Sequence, residues 1–96
     1  MSTVKGLVVA DDLSGASDTG HQFAARGYRT RVAAAQDATP ADESVLVVNT
    51  DSRYSAPADA ADRVADAVDR VPADVVYKKV DSTLRGNLVA EIDAMV

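Results

Sequence analysis

Four short apolar runs constrain the fold of this chain more than any other feature. Three of the runs are rich in valine, and all four are too brief for a typical globular helix. Such runs are typical of strands that are buried on both faces of a parallel sheet. They are VKGLVVA at Val4–Ala10, YRTRVAAA at 28–35, SVLVVNT at 44–50 and DVVYKKV at 74–80.

Helical patterns occupy most of the sequence between these runs. A first helix is expected from a cap at Ser14 or Ser17 to Arg26, with Gly27 just past its end. A second should begin after Pro57. The apolar residues at helical spacing in the second and third segments are Ala61, Val64, Ala65 and Val68, then Leu88, Val89, Ile92 and Met95.

The resulting order is β-α-β-β-α-β-α, with a loop at 37–44 between the second and third strands. This order predicts an α/β fold, with an open, mostly parallel sheet and flanking helices. The sequence stops at Val96, in or just after the third helix, and offers no closing strand. We therefore expect the sheet to be incomplete and the chain to be the front part of something larger.

Composition excludes several classes of protein. The 96 residues allow one compact domain, and with no cysteine and only His21, neither a disulfide framework nor a thiolate or histidine-rich metal site can form. A net charge of −5 disfavours nonspecific binding of nucleic acid. No segment approaches the roughly 18 apolar residues of a membrane span, so a cytoplasmic protein without membrane or nucleic-acid partners is expected.

Polar clusters follow three of the four predicted strands. They read DDLSGASDTG after the first, TDSRYS after the third and KKVDSTLRGN around the end of the fourth. In an open parallel sheet the carboxyl ends of the strands share one edge, and ligands bind in the crevice there. These clusters should therefore converge on a single site.

The first cluster opens with a pair of carboxylates, Asp11 and Asp12. Such a pair can bind sugar hydroxyls, hold Mg²⁺ or accept a proton from an attacking hydroxyl. Helix capping is an equally good explanation for either aspartate alone. Gly15 and Gly20 would allow the backbone to approach a ligand closely, but the cluster lacks the Lys and Ser/Thr of a nucleotide-binding P-loop.

The other two clusters carry much of the scarce positive charge. Arg53 could grip a carboxylate in a bidentate fork, or it could form a surface pair with Asp51. Strand alternation places Lys78 and Lys79 on opposite faces of the sheet, and a buried lysine needs a negative partner. Together with Arg85 and the start of the next helix, these donors suit a polyhydroxy anion.

These segments resemble the four-carbon acid sugar kinases, a family once catalogued as a domain of unknown function. The motifs that carry the resemblance are ADDLSGASDTG, NTDSRYSAPADA and YKKVDSTLRGNLVAEIDA, which together span nearly the whole chain. The match is to the N-terminal, sugar-binding domain of that family. It implies that residues 1–96 form part of a sugar-acid-binding domain and that the C-terminal nucleotide-binding domain is absent.

The resemblance implies phosphorylation of the terminal hydroxyl of threonate-, erythronate- or oxo-tetronate-like acids. ATP and Mg²⁺ would bind mainly outside this chain, on a nucleotide-binding half supplied in cis or in trans, and the protein could form homo-oligomers. Asp12, or else Asp81, would orient or deprotonate the attacking hydroxyl, while Arg53, Lys79 and Arg85 would hold the substrate carboxylate. By motif, the substrate-binding residues are Asp11, Ser14, Asp51, Ser52, Arg53, Lys79, Ser82, Arg85, Gly86 and Asn87.

Two other functions fit parts of the sequence. A response-regulator receiver domain would use Asp11, Asp12 and Asp51 to hold Mg²⁺ and accept phosphate, although Asp51 lacks the apolar surroundings and Met-Pro turn of a receiver. A stand-alone module that binds a sugar acid without chemistry is the second alternative.

Overall fold

The computed structural model describes residues 4–80 and 86–95, and these residues form a single parallel sheet with helices on both faces. The elements follow the predicted order, with a short 3-10 turn at Ala35–Asp37 as the one addition. They are β1 (Val4–Ala10), α1 (Leu13–Ala25), β2 (Thr30–Ala34), β3 (Val45–Asn49), α2 (Pro57–Arg70), β4 (Ala73–Lys78) and α3 (Leu88–Met95).

The strands lie in the order β2-β3-β1-β4, and all three neighbouring pairs are parallel. Val8 of β1 is in register with Val47 of β3 on one side and with Tyr77 of β4 on the other. The predicted fold class, an α/β protein with an open parallel sheet and flanking helices, is therefore confirmed. No helix among the described residues is long and apolar enough to cross a membrane.

Alternating side chains of the two central strands fill two separate cores. Val8, Ala10 and Val47 pack on the face that α1 covers, against Ala16. The intervening residues point the other way and pack against α2, where Ala60, Val64 and Ala67 are fully buried. Both faces of β1 and β3 are thus apolar because both are covered by helices.

The exit from α1 explains why β2 begins later than the sequence suggests. Gly27 adopts a φ of +91°, its N–H donates to the Ala24 carbonyl, and the Tyr28 N–H donates to the Phe23 carbonyl. This is the Schellman arrangement, and the rings of Phe23 and Tyr28 pack edge to face, 6.0 Å apart, as its usual apolar contact. Tyr28 therefore belongs to the helix cap, and β2 starts at Thr30.

Two expectations about burial are wrong. The fourth run was expected to be a buried strand, but β4 lies at the edge of the sheet and Val75, Val76 and Tyr77 are exposed. The predicted apolar side of α3 is also wrong in part, because Val89 and Ile92 are exposed while Glu91 is fully buried.

The site lies where the loops after β1 and β3 leave the sheet in opposite directions. The loop after β1 leads to α1 on one face, and the loop after β3 leads to α2 on the other. Because the two strands are neighbours, their diverging loops open a crevice at the carboxyl edge of the sheet, as in other doubly wound folds.

Candidate functional site

An arginine bridges the two adjacent aspartates at the end of β1. Arg53 NH2 lies 3.1 Å from Asp11 Oδ1, and Arg53 NH1 lies 3.1 Å from Asp12 Oδ2. The Arg53 side chain is only 10% exposed, so these pairs are better shielded from water than surface pairs. The alternative in which Arg53 forms a surface pair with Asp51 is not what the structure shows.

Asp12 also caps α1, so its two expected roles, capping and site formation, coexist. Its backbone is extended, with φ −147°, and its Oδ1 accepts a 2.9 Å hydrogen bond from the Gly15 N–H. The cap is thus Asp12, and the predicted caps Ser14 and Ser17 are wrong. Ser14 is exposed in the first turn of the helix.

The turn after β3 is held against β1 by backbone hydrogen bonds. The carbonyl of Asp11 accepts from the N–H groups of both Ser52 and Arg53. Asp51 has a φ of +52°, a left-handed conformation that aspartate tolerates better than most residues, and its N–H donates to Asn49 Oδ1 at 2.9 Å. This geometry leaves Asp51 exposed at the rim of the crevice.

Ser52 lies beneath the crevice and is fully buried. Its hydroxyl donates to Glu91 Oε2 at 3.0 Å and lies 2.6 Å from the Thr50 hydroxyl. Thr50 in turn donates to the Ala10 carbonyl at the end of β1. Ser52 therefore links the strand ends to α3, and its side chain does not reach the cleft.

The N-terminal end of α3 is hydrogen-bonded to the turn after β3. Asn87 Nδ2 donates to the carbonyls of Ser52 and Ser55, at 3.1 and 2.7 Å. Gly86 has a φ of +94°, and a Cβ added there would lie 2.5 Å from Asp11 Oδ2. A side chain at position 86 would thus collide with the acidic pair.

The two lysines at the end of β4 point to opposite faces, as predicted. Lys78 Nζ lies 3.5 Å from Glu91 Oε1 on the side of α3. Lys79 lies next to α1, where a Cβ added to Gly15 would be 3.6 Å from Lys79 Cγ. The negative partner that a buried lysine requires is Glu91, which the sequence did not single out.

The crevice is a cleft of about 320 Å³ with an acidic lining, formed by Asp11, Asp12, Asp51, Arg53, Tyr54 and Ser55. Three carboxylates against one guanidinium leave these lining residues with a net charge of −2. Carboxylates accept hydrogen bonds from hydroxyls but repel anions. This part of the cleft therefore suits the hydroxyl end of a ligand.

The structure brings most of the described candidates to one edge of the sheet. Gly86, Asn87 and Lys79 lie beside or beneath the cleft, together with the lining residues. Asp81, Ser82 and Arg85 lie outside the described residues. Gly20 does not serve a ligand, because it lies inside α1 and a Cβ there would be 2.7 Å from Val32 Cγ2 of β2.

No group of three or more His, Cys, Asp or Glu side chains in the described parts of the chain could hold a metal ion. Arg53 occupies oxygens of both aspartates that a receiver domain would use for Mg²⁺. The described residues therefore do not fit a magnesium site.

Fold and crevice together define a doubly wound α/β domain, a class of fold in which ligands bind at the carboxyl edge of the sheet. A family model described as "Sugar-binding N-terminal domain" matches residues 6–96. The chain belongs to that family, so the resemblance to the four-carbon acid sugar kinases is confirmed and the receiver alternative is not supported.

Several relatives carry kinase names. A D-threonate kinase from Salmonella typhimurium is 46% identical over 95% of this chain and 23% of its own length. A D-erythronate kinase from Heliobacterium modesticaldum is 40% identical over 94% of this chain and 22% of its own. The chain thus spans about a quarter of the length of these relatives.

A solved structure supports the fold in detail. The crystal structure of a domain of unknown function from Bordetella bronchiseptica, described with bound citrate and as a domain-swapped dimer, superposes with a TM-score of 0.85. The two sequences are 45% identical, and the matched region covers 94% of this chain and 25% of the solved chain.

Proposed function

We propose that this chain binds the acceptor substrate of an ATP-dependent kinase of four-carbon sugar acids, such as D-threonate or D-erythronate. The observation that carries the proposal is the Asp11–Arg53–Asp12 cluster at the crevice between β1 and β3. The names of the relatives support the substrate class. A bound citrate, itself a hydroxy acid, in the solved relative agrees with it.

In this proposal the substrate hydroxyls face the acidic lining. Asp12 already uses Oδ1 for the helix cap and Oδ2 for Arg53, and both oxygens retain further acceptor capacity. Asp12 would orient the terminal hydroxyl and take its proton, with Asp81 as the second candidate base. Phosphoryl transfer depends mainly on positioning and charge, so placing the hydroxyl is this chain's contribution.

The substrate carboxylate requires cations, and the one cation of the described lining, Arg53, already pairs with Asp11 and Asp12. Among the described residues, the candidate for binding the carboxylate is Lys79, which lies beside Gly15. The other candidate, Arg85, lies outside the described residues. Since Arg53 pairs with both aspartates, we expect it to act on the substrate chiefly by fixing those carboxylates. Ser52 and Asn87 would serve the site through the turn that they hold, while Ser14 and Asp51 would contact ligand from the rim.

The remaining parts of the kinase belong to further polypeptide. This chain spans 23% of the D-threonate kinase from Salmonella typhimurium, so we assign the metal, the nucleotide and the phosphoryl-transfer step mainly to a nucleotide-binding half. The dimer of the solved relative supports self-association as a further expectation. A cytoplasmic location stays a prediction.

Calorimetric titration of the 96-residue chain tests this proposal. We expect D-threonate or D-erythronate to bind, and succinate, a four-carbon acid without hydroxyls, not to bind. Asp12→Asn should weaken binding about tenfold, as expected for a hydrogen bond to a charged group. Asp18→Asn, at an exposed position of α1, is the matched control and should bind like the unaltered chain.

Two results of this titration would contradict the proposal. One is that no four-carbon hydroxy acid binds, and the other is that succinate binds equally well. Repeating the titration with ATP separates the alternatives. If ATP alone bound tightly to this chain, the assignment of the nucleotide to another half would be wrong.

A further inference from the structure

Directly beneath the cleft lies a buried ion pair that the proposed function does not use. Glu91 is fully buried in α3, and the side chain of Lys78, at the end of β4, is 9% exposed. Removing two charges from water is costly unless each finds good partners. Glu91 and Lys78 therefore require a structural or functional reason.

The contacts of Glu91 point to the turn after β3. Its Oε2 accepts the Ser52 hydroxyl at 3.0 Å, while its Oε1 lies 3.5 Å from Lys78 Nζ and has no hydrogen-bond partner among the described residues. Ser52 immediately precedes Arg53, the residue that bridges the two aspartates. Glu91 is thus connected to the guanidinium of the site through a single residue.

Lys78 completes the connection. Besides facing Glu91, its ammonium group donates to the Lys79 carbonyl at 2.9 Å. One side of the pair therefore holds the backbone at the end of β4, and the other side holds the turn after β3. Glu91 belongs to α3, so three elements meet at this one pair.

We propose that Glu91, paired with Lys78, is a positioning residue that fixes Ser52 and, through it, the Arg53 guanidinium against Asp11 and Asp12. This inference rests on the proposed function for its consequence in ligand binding. Its structural part concerns the ligand-free chain and stands independently. Glu91 is not among the described residues that line the cleft, so its effect on Arg53 is transmitted through Ser52.

The test compares the same substitution at the two glutamates of the sequence. Glu91→Gln keeps the size and an acceptor for Ser52 but removes the charge that faces Lys78. Glu43→Gln is the matched control, since Glu43 is also buried and ion-paired, with Arg31, but lies before β3 and outside the cleft lining. Each variant removes the charge of a buried glutamate from an ion pair, and of the two glutamates only Glu91 contacts Ser52.

Two measurements on each variant test whether Glu91 positions Arg53. The first is the NMR signal of the Arg53 guanidinium and of the Ser52 and Arg53 amides without ligand. The second is the affinity for D-threonate by calorimetry. For Glu91→Gln we expect shifted Arg53 signals and affinity about tenfold weaker, and for Glu43→Gln neither change. In Lys78→Met/Glu91→Gln, where no buried charge is left unpaired, partial recovery of both readouts is expected.

Ser52→Ala keeps the test decisive if Glu91→Gln does not fold. It removes the hydroxyl that Glu91 holds, so it should also shift the Arg53 guanidinium signal. Unshifted Arg53 signals in Ser52→Ala, or equal shifts in Glu91→Gln and Glu43→Gln, would overturn the inference. If the unaltered chain bound no acid while Glu91→Gln alone shifted Arg53, the positioning role would stand and the proposed function would fail.

Discussion

Two glycines, one at the end of α1 and one at the candidate site, show how backbone geometry constrains single residues. Gly27 and Gly86 both have a positive φ, near +90°, but their surroundings differ. A Cβ at Gly27 would meet nothing within 4 Å, whereas one at Gly86 would lie 2.5 Å from Asp11 Oδ2. The two glycines therefore separate the cost of backbone strain from the cost of a collision.

We expect Gly27→Ala to lower the free energy of unfolding by about 1 kcal/mol, the cost of a left-handed alanine. Gly86→Ala should cost about 1–3 kcal/mol more, because Asp11 must move away. Urea unfolding of both variants measures the difference. Equal losses in the two variants would mean that Gly86 does not pack against the acidic pair.

Glu43 makes the folding stability of this chain depend on pH. Burial alone would raise its pKa, but hydrogen bonds from its own N–H, the Arg31 side chain and the Ala41 N–H, together with the charge of Arg31, lower it below the ordinary 4.5. The unfolded chain therefore binds a proton more readily at this position than the folded chain does. The resulting stability is fully present above the unfolded pKa and is lost as pH falls through the lower, folded pKa.

Glu43→Gln should accordingly be less stable than the unaltered chain at pH 7 and should lose less stability on acidification. Chemical unfolding at a series of pH values between about 6 and about 3 measures this. The difference between the two proteins should shrink as pH falls. A difference that stays constant with pH would contradict the lowered pKa of Glu43.

At the scale of elements, α2 binds the sheet through one narrow stripe of small side chains. Val64 is fully buried at its centre, whereas Val89 of α3 is 72% exposed. Val64→Ala should lower the free energy of unfolding by about 1–3 kcal/mol, since it opens a cavity. Val89→Ala, the same chemical change, should be close to neutral by thermal or urea unfolding. A comparable loss at Val89 would mean that this face of α3 is covered in solution.

The strands and helices could be predicted because their signals are local. Valine-rich runs and the 3.6-residue spacing of α2 gave element positions within a few residues. The orientation of α3 could not be predicted in this way. Glu91 resembles a solvent-facing residue until Lys78 and Ser52, from other elements, are placed beside it.

The candidate site was predictable as a location but not as a set of contacts. The parallel sheet alone brings the ends of β1, β3 and β4 together, and the motifs mark those ends. That Arg53 bridges Asp11 and Asp12 depends on the turn at Asp51, whose left-handed conformation no spacing rule reveals. Likewise, the sequence did not show that Ser52 faces Glu91 instead of the cleft.

At the scale of the whole molecule, two polar clefts of different charge are found among the described residues along the carboxyl edge of the sheet. The acidic cleft at Arg53 is the proposed site. A second, of about 460 Å³, lies over the ends of β2 and β3 and contains Arg63 and Arg70 of α2. Those arginines already bind carbonyls and the neighbouring Asp59 and Asp66. The lining of this second cleft carries no net charge, since Arg63 and Arg70 balance Asp51 and Asp66. It therefore repels an acidic ligand less than the acidic cleft does, so the location of the bound ligand must be measured.

A ¹H–¹⁵N NMR titration that maps D-threonate onto the 96-residue chain tests the proposed site most directly. We expect saturable shifts to concentrate at residues 11–15, 51–55 and 86–87 and to be reduced in Asp12→Asn. Arg63 and Arg70 should remain unperturbed. Shifts centred on Arg63 and Arg70, or none at the Asp11–Arg53–Asp12 cluster at saturating ligand, would contradict it.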